Sequence, residues 1–137
     1  MKRSAKAVWN GSIKDGSGTF GTGSGAIQHQ TYSFRTRFED APGTNPEELI
    51  AAAHASCFSM ALSAQLGERN ITPQSVETTS TITFENKTLT QSVLHTTVKA
   101  TGADRKKIEE AASAAKAGCP ISKVLKLEIT LELDIEV

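Results

Sequence analysis

Residues 45–67 read NPEELIAAAHASCFSMALSAQLG, and the reading of this stretch decides the fold. Asn45 is a good N-cap, Pro46 suits the first helical position, and Glu48 falls three residues after the cap, so a helix starts here. The pattern predicts that it continues to about Leu66, with Gly67 as its C-cap. No Lys, Arg or acidic residue stands between Glu48 and Glu68. Leu49, Ile50, Ala51 to Ala53, Phe58, Met60, Leu62 and Leu66 leave no continuous charged face, so the helix is expected to be buried nearly all round. A chain of 137 residues has trouble covering a helix on every side by itself, and a second copy is expected to supply the missing cover.

The segments on either side complete an α+β order. Ala5 to Trp9 alternate as a short strand, and Gly16, Gly18, Gly21, Gly23 and Gly25 follow in a glycine-rich hairpin. Residues 16–21, GSGTFG, have the spacing G-x-G-x-x-G, but no helical pattern follows, so a dinucleotide site is not expected. Thr31 to Phe38 read as a strand that points Arg35 and Arg37 the same way. Beyond the helix, strands at Ser75–Phe84 and Thr88–Ala100 are joined by a tight turn at Glu85, Asn86 and Lys87. Asp104 caps a helix reaching about Ala117, Gly118 ends it, and Pro120 opens a short helix to about Leu125. Leu127 to Val137 alternate apolar and polar residues as a half-buried strand. Strands first, then a helix, a hairpin, helices and a strand lack the regular alternation of a parallel α/β sheet.

Length and charge narrow the function. The 137 residues fit one domain, 1–137, and 38% hydrophobic with 22% charged residues is ordinary globular usage. Fifteen Lys and Arg balance fifteen Asp and Glu, so no field is available to attract nucleic acid or a membrane surface, and neither partner is expected. No apolar run is expected to approach the roughly 18 residues needed to span a bilayer. The basic start MKRSAKAVWNGS is not followed by an apolar segment, so neither a secretory signal nor an anchor is expected and the cytoplasm is the default location.

In a reducing compartment the two cysteines point to catalysis, redox chemistry or simple burial before they point to a structural staple. Cys57 lies in the middle of the apolar helix, where a small soft hydrophobe also suits a core. Cys119 lies between Gly118 and Pro120, at the N-terminal end of the short helix, where backbone N–H groups favour a thiolate. At 62 positions apart they form no local C-x-x-C pair, and whether they meet is left open by spacing. Arg37 and Glu47 are placed to pair near the entrance of the helix. Ten residues of helix cover about 15 Å, so Glu47 cannot touch Cys57 of its own helix, and a thiolate served by Glu47 or its arginine belongs to another copy of the chain. His54, three residues before Cys57, allows a Cys–His nucleophile pair or half of a zinc site; a buried, hydrogen-bonded core histidine is the reading preferred here. The remaining ligand candidates, Cys119, His29 and His95, have no ligand spacing, so no metal is expected.

Two stretches carry a resemblance to a known family. Residues 38–63, FEDAPGTNPEELIAAAHASCFSMALS, and residues 116–126, KAGCPISKVLK, resemble the two signatures of the OsmC/Ohr family of osmotically inducible and organic-hydroperoxide-resistance proteins. TRFE and GTNPEEL are closer to the OsmC branch. The resemblance implies an OsmC-like α+β fold, with antiparallel-rich sheets around a buried central helix, in an intertwined homodimer whose active sites lie where the subunits meet. It implies a thiol peroxidase that needs no cofactor. Cys57 then matches the peroxidatic cysteine, Cys119 the resolving cysteine that forms a disulfide with it, Arg37 the activating arginine with Arg35 as its neighbouring alternative, and Glu47 the carboxylate partner. The expected substrate is an organic or lipid hydroperoxide, with hydrogen peroxide reduced less well. A dithiol, in this family a lipoyl group on a partner protein, is the expected reductant. The alternative is a protein that binds or senses peroxide in the same pocket without turnover.

Overall fold

The computed structural model describes residues 1–137, which form two compact units, residues 1–49 and 50–137. In the first, β1 (Ala5–Asn10), β2 (Ser17–Thr22) and β3 (Gln30–Tyr32) make an antiparallel sheet in the order β1-β2-β3. The glycine-rich segment is therefore a hairpin whose second arm is itself a strand. Gly18 is paired with Trp9 on one side and Tyr32 on the other, and those two rings pack 5.5 Å apart. A β-carbon at Gly18 would come within 2.7 Å of the Trp9 ring and 2.6 Å of the Tyr32 ring, so the aromatic pair closes over the backbone only because the residue is glycine.

The strand expected over 31–38 stops at Tyr32, and a short helix α1 (Phe34–Phe38) follows. A local capping motif overrides the alternation. The Ser33 hydroxyl accepts from the Thr36 N–H at 3.3 Å while the Thr36 hydroxyl accepts from the Ser33 N–H at 2.9 Å. Phe34 and Phe38 then stack one turn apart, and Arg35 pairs with Glu39 at 3.3 Å.

Helix α2 (Pro46–Gly67) begins as expected: the Asn45 side-chain oxygen accepts from the Glu48 N–H at 2.8 Å, and its amide nitrogen donates to the Thr36 carbonyl at 3.0 Å. Asn45→Ala removes both bonds and is expected to cost about 1–2 kcal/mol, read as a thermal midpoint lowered by a few degrees. At the far end Gly67 stays inside the helix, and the left-handed residue that turns the chain is Asn70, at φ 58°.

The second unit is a sheet in the order β4-β5-β6, formed by β4 (Ser75–Glu85), β5 (Thr88–Lys99) and β6 (Glu128–Glu136). β4 and β5 pair antiparallel through a two-residue turn, Asn86 and Lys87, both at positive φ (49° and 60°), which matches the twist of the strands. β6 runs parallel to β5 from Gln91↔Glu128 to Lys99↔Glu136. The alternation of β6 predicts a strand without its partner or direction. The parallel pairing comes from the crossover through α3 (Arg105–Gly118) and α4 (Pro120–Val124), which returns the chain to the end where β5 began. Asp104 caps α3 by accepting from the N–H groups of Lys106 and Lys107.

The core lies between this sheet and the helices. Phe58, Leu62 and Leu66 of α2 pack with Leu94 and Val98 of β5 and with Ile108, Ala111, Ala112 and Ala115 of α3. Only one stripe of α2 (His54, Phe58, Leu62 and Leu66) is buried by the chain, against the expectation of burial nearly all round. Ala52, Ala53, Ser56, Met60, Ser63 and Ala64 stand exposed. The expectation about apolar runs is corrected as well: with 22 residues and a mean hydropathy of 1.4, α2 is long and apolar enough to cross a bilayer by length and composition. A core helix passes the same test, and the buried stripe of α2 is packed on protein.

Candidate active site

The chain forms two clusters from the residues singled out in the sequence. In the first, Arg37 on α1 meets Glu47 in the first turn of α2, with Nη2 at 2.8 Å and Nε at 3.0 Å from Glu47 Oε1. The helical turn that ends the expected strand is what aims Arg37 at this carboxylate. Its side chain is 36% exposed and that of Glu47 only 13%, a setting in which a charge-assisted pair holds its geometry better than a free surface bridge. The guanidinium also lies 5.1 Å from the centre of the Phe38 ring. Arg35, the alternative arginine, is committed to Glu39 and more exposed. Trp9, Ile13, Tyr32, Phe34 and Phe38 line a cavity of about 210 Å³ that Arg37 and Ser33 also border.

In the second cluster Cys57 and Cys119 come into contact as free thiols. Cys57 is half-buried on α2, whereas Cys119, the residue between α3 and α4, has no exposed surface. Burial pushes the Cys57 thiol up, outweighing the pull of the Ile121 amide in the other direction, and the adjacent Cys119 adds to the rise. Burial also acts to raise Cys119, but the Ser122 and Ile121 amides, the Cys57 thiol and the Ser122 hydroxyl outweigh it and leave Cys119 below the ordinary thiol value. The first turn of α4 thus favours charge on Cys119.

His54 has no part in a Cys–His pair. Its Nδ1 lies 2.7 Å from Ser92 Oγ and its Nε2 2.9 Å from Ser122 Oγ, and burial lowers its pKa, so the ring is neutral and both nitrogens are taken. The preferred reading of a buried, hydrogen-bonded histidine holds. Its partners Ser92 and Ser122 were missed in the sequence, because single serines in a strand and a short helix carry no spacing signal. His95 sits on the open face of the sheet, 2.7 Å from Asp134. Phe58 is wholly buried and faces the core.

Residues 38–134 match the family described as OsmC-like protein. The chain is 46% identical over 140 residues to peroxiredoxin OsmC of Escherichia coli, covering 99% of this chain and 98% of that one. It is 33% identical over 100 residues to the organic hydroperoxide resistance protein OhrB of Bacillus subtilis, across 72% and 74% of the two chains. The crystal structure of OhrB superposes with a TM-score of 0.68 at 26% identity, over 96% of this chain and 98% of the other. The crystal structure of an OsmC-like protein from Mycoplasma pneumoniae, at 18% identity, has the same fold with a TM-score of 0.77 over 100% of this chain and 99% of that one. With one signature helix bearing Cys57 and the other signature bearing Cys119, and with near full-length identity to an OsmC protein, this chain belongs to the OsmC-like family.

Proposed function

We propose that the chain is a two-cysteine peroxidase that reduces organic hydroperoxides, and hydrogen peroxide less well, to alcohols and is reset by a dithiol. Peroxidase activity and a part in peroxide defence follow from the family and from the identity to a peroxiredoxin. The observation that carries the finer mechanism is the contact between Cys57 and Cys119, 62 positions apart and brought together by α2 and the α3–α4 junction. Cys57 is the thiol that a substrate can reach, and Cys119 is the one with no surface of its own.

The Cys57 thiolate attacks the peroxide, the O–O bond breaks, the alkoxide leaves as an alcohol after gaining a proton, and Cys57 is left as a sulfenic acid. Cys119 then attacks that sulfur, the disulfide forms and water departs. A dithiol, such as a dihydrolipoyl group on a partner protein, restores both thiols and is itself oxidised to a disulfide.

A thiol whose pKa is raised needs a cation to react at neutral pH. Arg37, fixed by Glu47, is that cation, supplied by a second copy in an intertwined homodimer. The exposed small-residue face of α2 supports this assembly, since it is the apolar surface that the single chain leaves uncovered. The aromatic cavity beside Arg37 supports the preference for an organic substrate. The location that goes with this cycle is the cytoplasm, a reducing compartment in which the disulfide is reset.

The test is consumption of cumene hydroperoxide and of hydrogen peroxide by the purified protein with excess dihydrolipoamide. Sustained turnover is expected, faster on cumene hydroperoxide, while Cys119→Ser completes one oxidation and then accumulates sulfinic acid at Cys57 by mass spectrometry. A single oxidation by the wild type that never cycles would replace this reading with that of a peroxide sensor.

A further inference from the structure

The peroxidase cycle leaves one buried titratable side chain unused. His54 is 0% exposed, and its hydrogen bonds extend past the two serines that hold it. Ser92 Oγ lies 3.1 Å from Ser80 Oγ on β4, and Ser80 is half-buried at the sheet. Ser122 follows Cys119 by three residues in the first turn of α4, and its hydroxyl is among the groups that pull the Cys119 thiol down. Ser80, Ser92, His54, Ser122 and Cys119 thus follow one another from a half-buried serine to a cysteine with no exposed surface. None of the buried side-chain nitrogen and oxygen atoms in the chain lacks a partner.

Each hydroxyl brings one proton and the neutral imidazole brings one, so the file can be ordered head to tail in two directions. In one direction the Cys119 S–H donates to Ser122, Ser122 to His54 Nε2, His54 Nδ1–H to Ser92, and Ser92 to Ser80. In the other every bond is reversed, Ser80 donates to Ser92, and the Ser122 O–H points at a Cys119 thiolate. The two orders differ by one proton, released from Ser80 to solvent, and by the tautomer of His54.

We propose that His54 is a positioning residue of the resolving half-cycle, whose change of tautomer passes the Cys119 proton along this file as the disulfide forms and returns it when the disulfide is reduced. This rests on the two-cysteine cycle proposed above. In the forward step the S–S bond forms, the Cys119 proton leaves through Ser122, His54 and Ser92, and the hydroxyl of the Cys57 sulfenic acid departs as water after taking a proton from solvent. The net reaction is sulfenic acid plus thiol to disulfide plus water, with no added oxidant.

The test uses the full-length protein and cumene hydroperoxide, with stopped-flow and quenched mass spectrometry separating sulfenic acid formation from disulfide formation. His54→Gln retains one donor and one acceptor but has no tautomer to exchange, so a merely structural histidine is rescued by it. The expected result is a disulfide step slowed about tenfold or more relative to the sulfenic acid step, with a matching rise in Cys57 sulfinic acid. Ser122→Ala, which breaks the same link and leaves His54 in place, is expected to shift the ratio likewise and serves if His54→Gln does not fold. An unchanged ratio in the folded variants overturns the inference alone. A wild type that forms no Cys57–Cys119 disulfide overturns the cycle itself, and the inference with it.

Discussion

Replacing Cys57 by serine is expected to reduce hydroperoxide consumption to the background rate of the reductant, a loss on the order of a thousandfold or more, as when an enzyme loses its nucleophile. A serine hydroxyl does not ionise near neutral pH and has no sulfenic acid state, so both the attack and the disulfide disappear. Cys57 is half-buried and is replaced by an atom of similar size, so the thermal midpoint should move little and the loss is attributable to chemistry. The experiment decides a question the electrostatics raise, because within one chain the environment raises the Cys57 thiol and lowers that of Cys119. Access favours Cys57, since Cys119 has no exposed surface from which to meet a substrate. Sustained turnover by Cys57→Ser would reverse the assignment and make Cys119 the attacking thiol.

Arg37→Met is the second large effect expected. Removing a cation that lowers a thiol pKa by one to three units reduces the thiolate fraction at neutral pH by about 10- to 1000-fold, and kcat/KM for hydroperoxide should fall in that range. The methionine retains most of the stem against Phe38, so the loss reports charge. Alkylation of Cys57 by iodoacetamide should need a correspondingly higher pH. Glu47→Gln, which leaves the guanidinium without its 2.8 Å anchor, should lie between Arg37→Met and the wild type. Mixing Arg37→Met subunits with Cys57→Ser subunits and allowing exchange locates the arginine. If the partner supplies it, one site in each mixed dimer has an intact Cys57 and an intact Arg37, and activity returns. No recovery in dimers shown to have exchanged would place Arg37 on its own chain's thiol and remove the need for a second copy.

The short-range parts of the molecule were legible from residue types. The cap at Asn45, Pro46 at the first helical position, the turn at Asn86 and Lys87, the cap at Asp104 and the alternation of β6 all depend on neighbours within a few residues. One local misreading, 31–38 as a strand, came from weighing the β propensity of Thr, Tyr and Phe over the Ser33–Thr36 capping motif and the i,i+4 pairs Phe34–Phe38 and Arg35–Glu39, which were equally visible. Arg37 and Glu47, ten positions apart, are close enough in the chain for their pairing to be anticipated, although the turn that aims the arginine was not.

By itself, then, the sequence determined the helix that carries Cys57, the caps, the hairpins and the residue types suited to thiol chemistry, because each is settled by interactions that close within a turn or two of backbone. Tertiary structure alone decided that β6 runs parallel to β5, that Phe58 faces the core, that Cys57 meets Cys119, and that His54 stands between Ser92 and Ser122. Those contacts join residues far apart in the chain, 37 positions for Gln91 and Glu128 and 38 for His54 and Ser92. Their geometry is set by how the crossover through α3 and α4 packs against α2 and the sheet, and no periodicity in the chain encodes it.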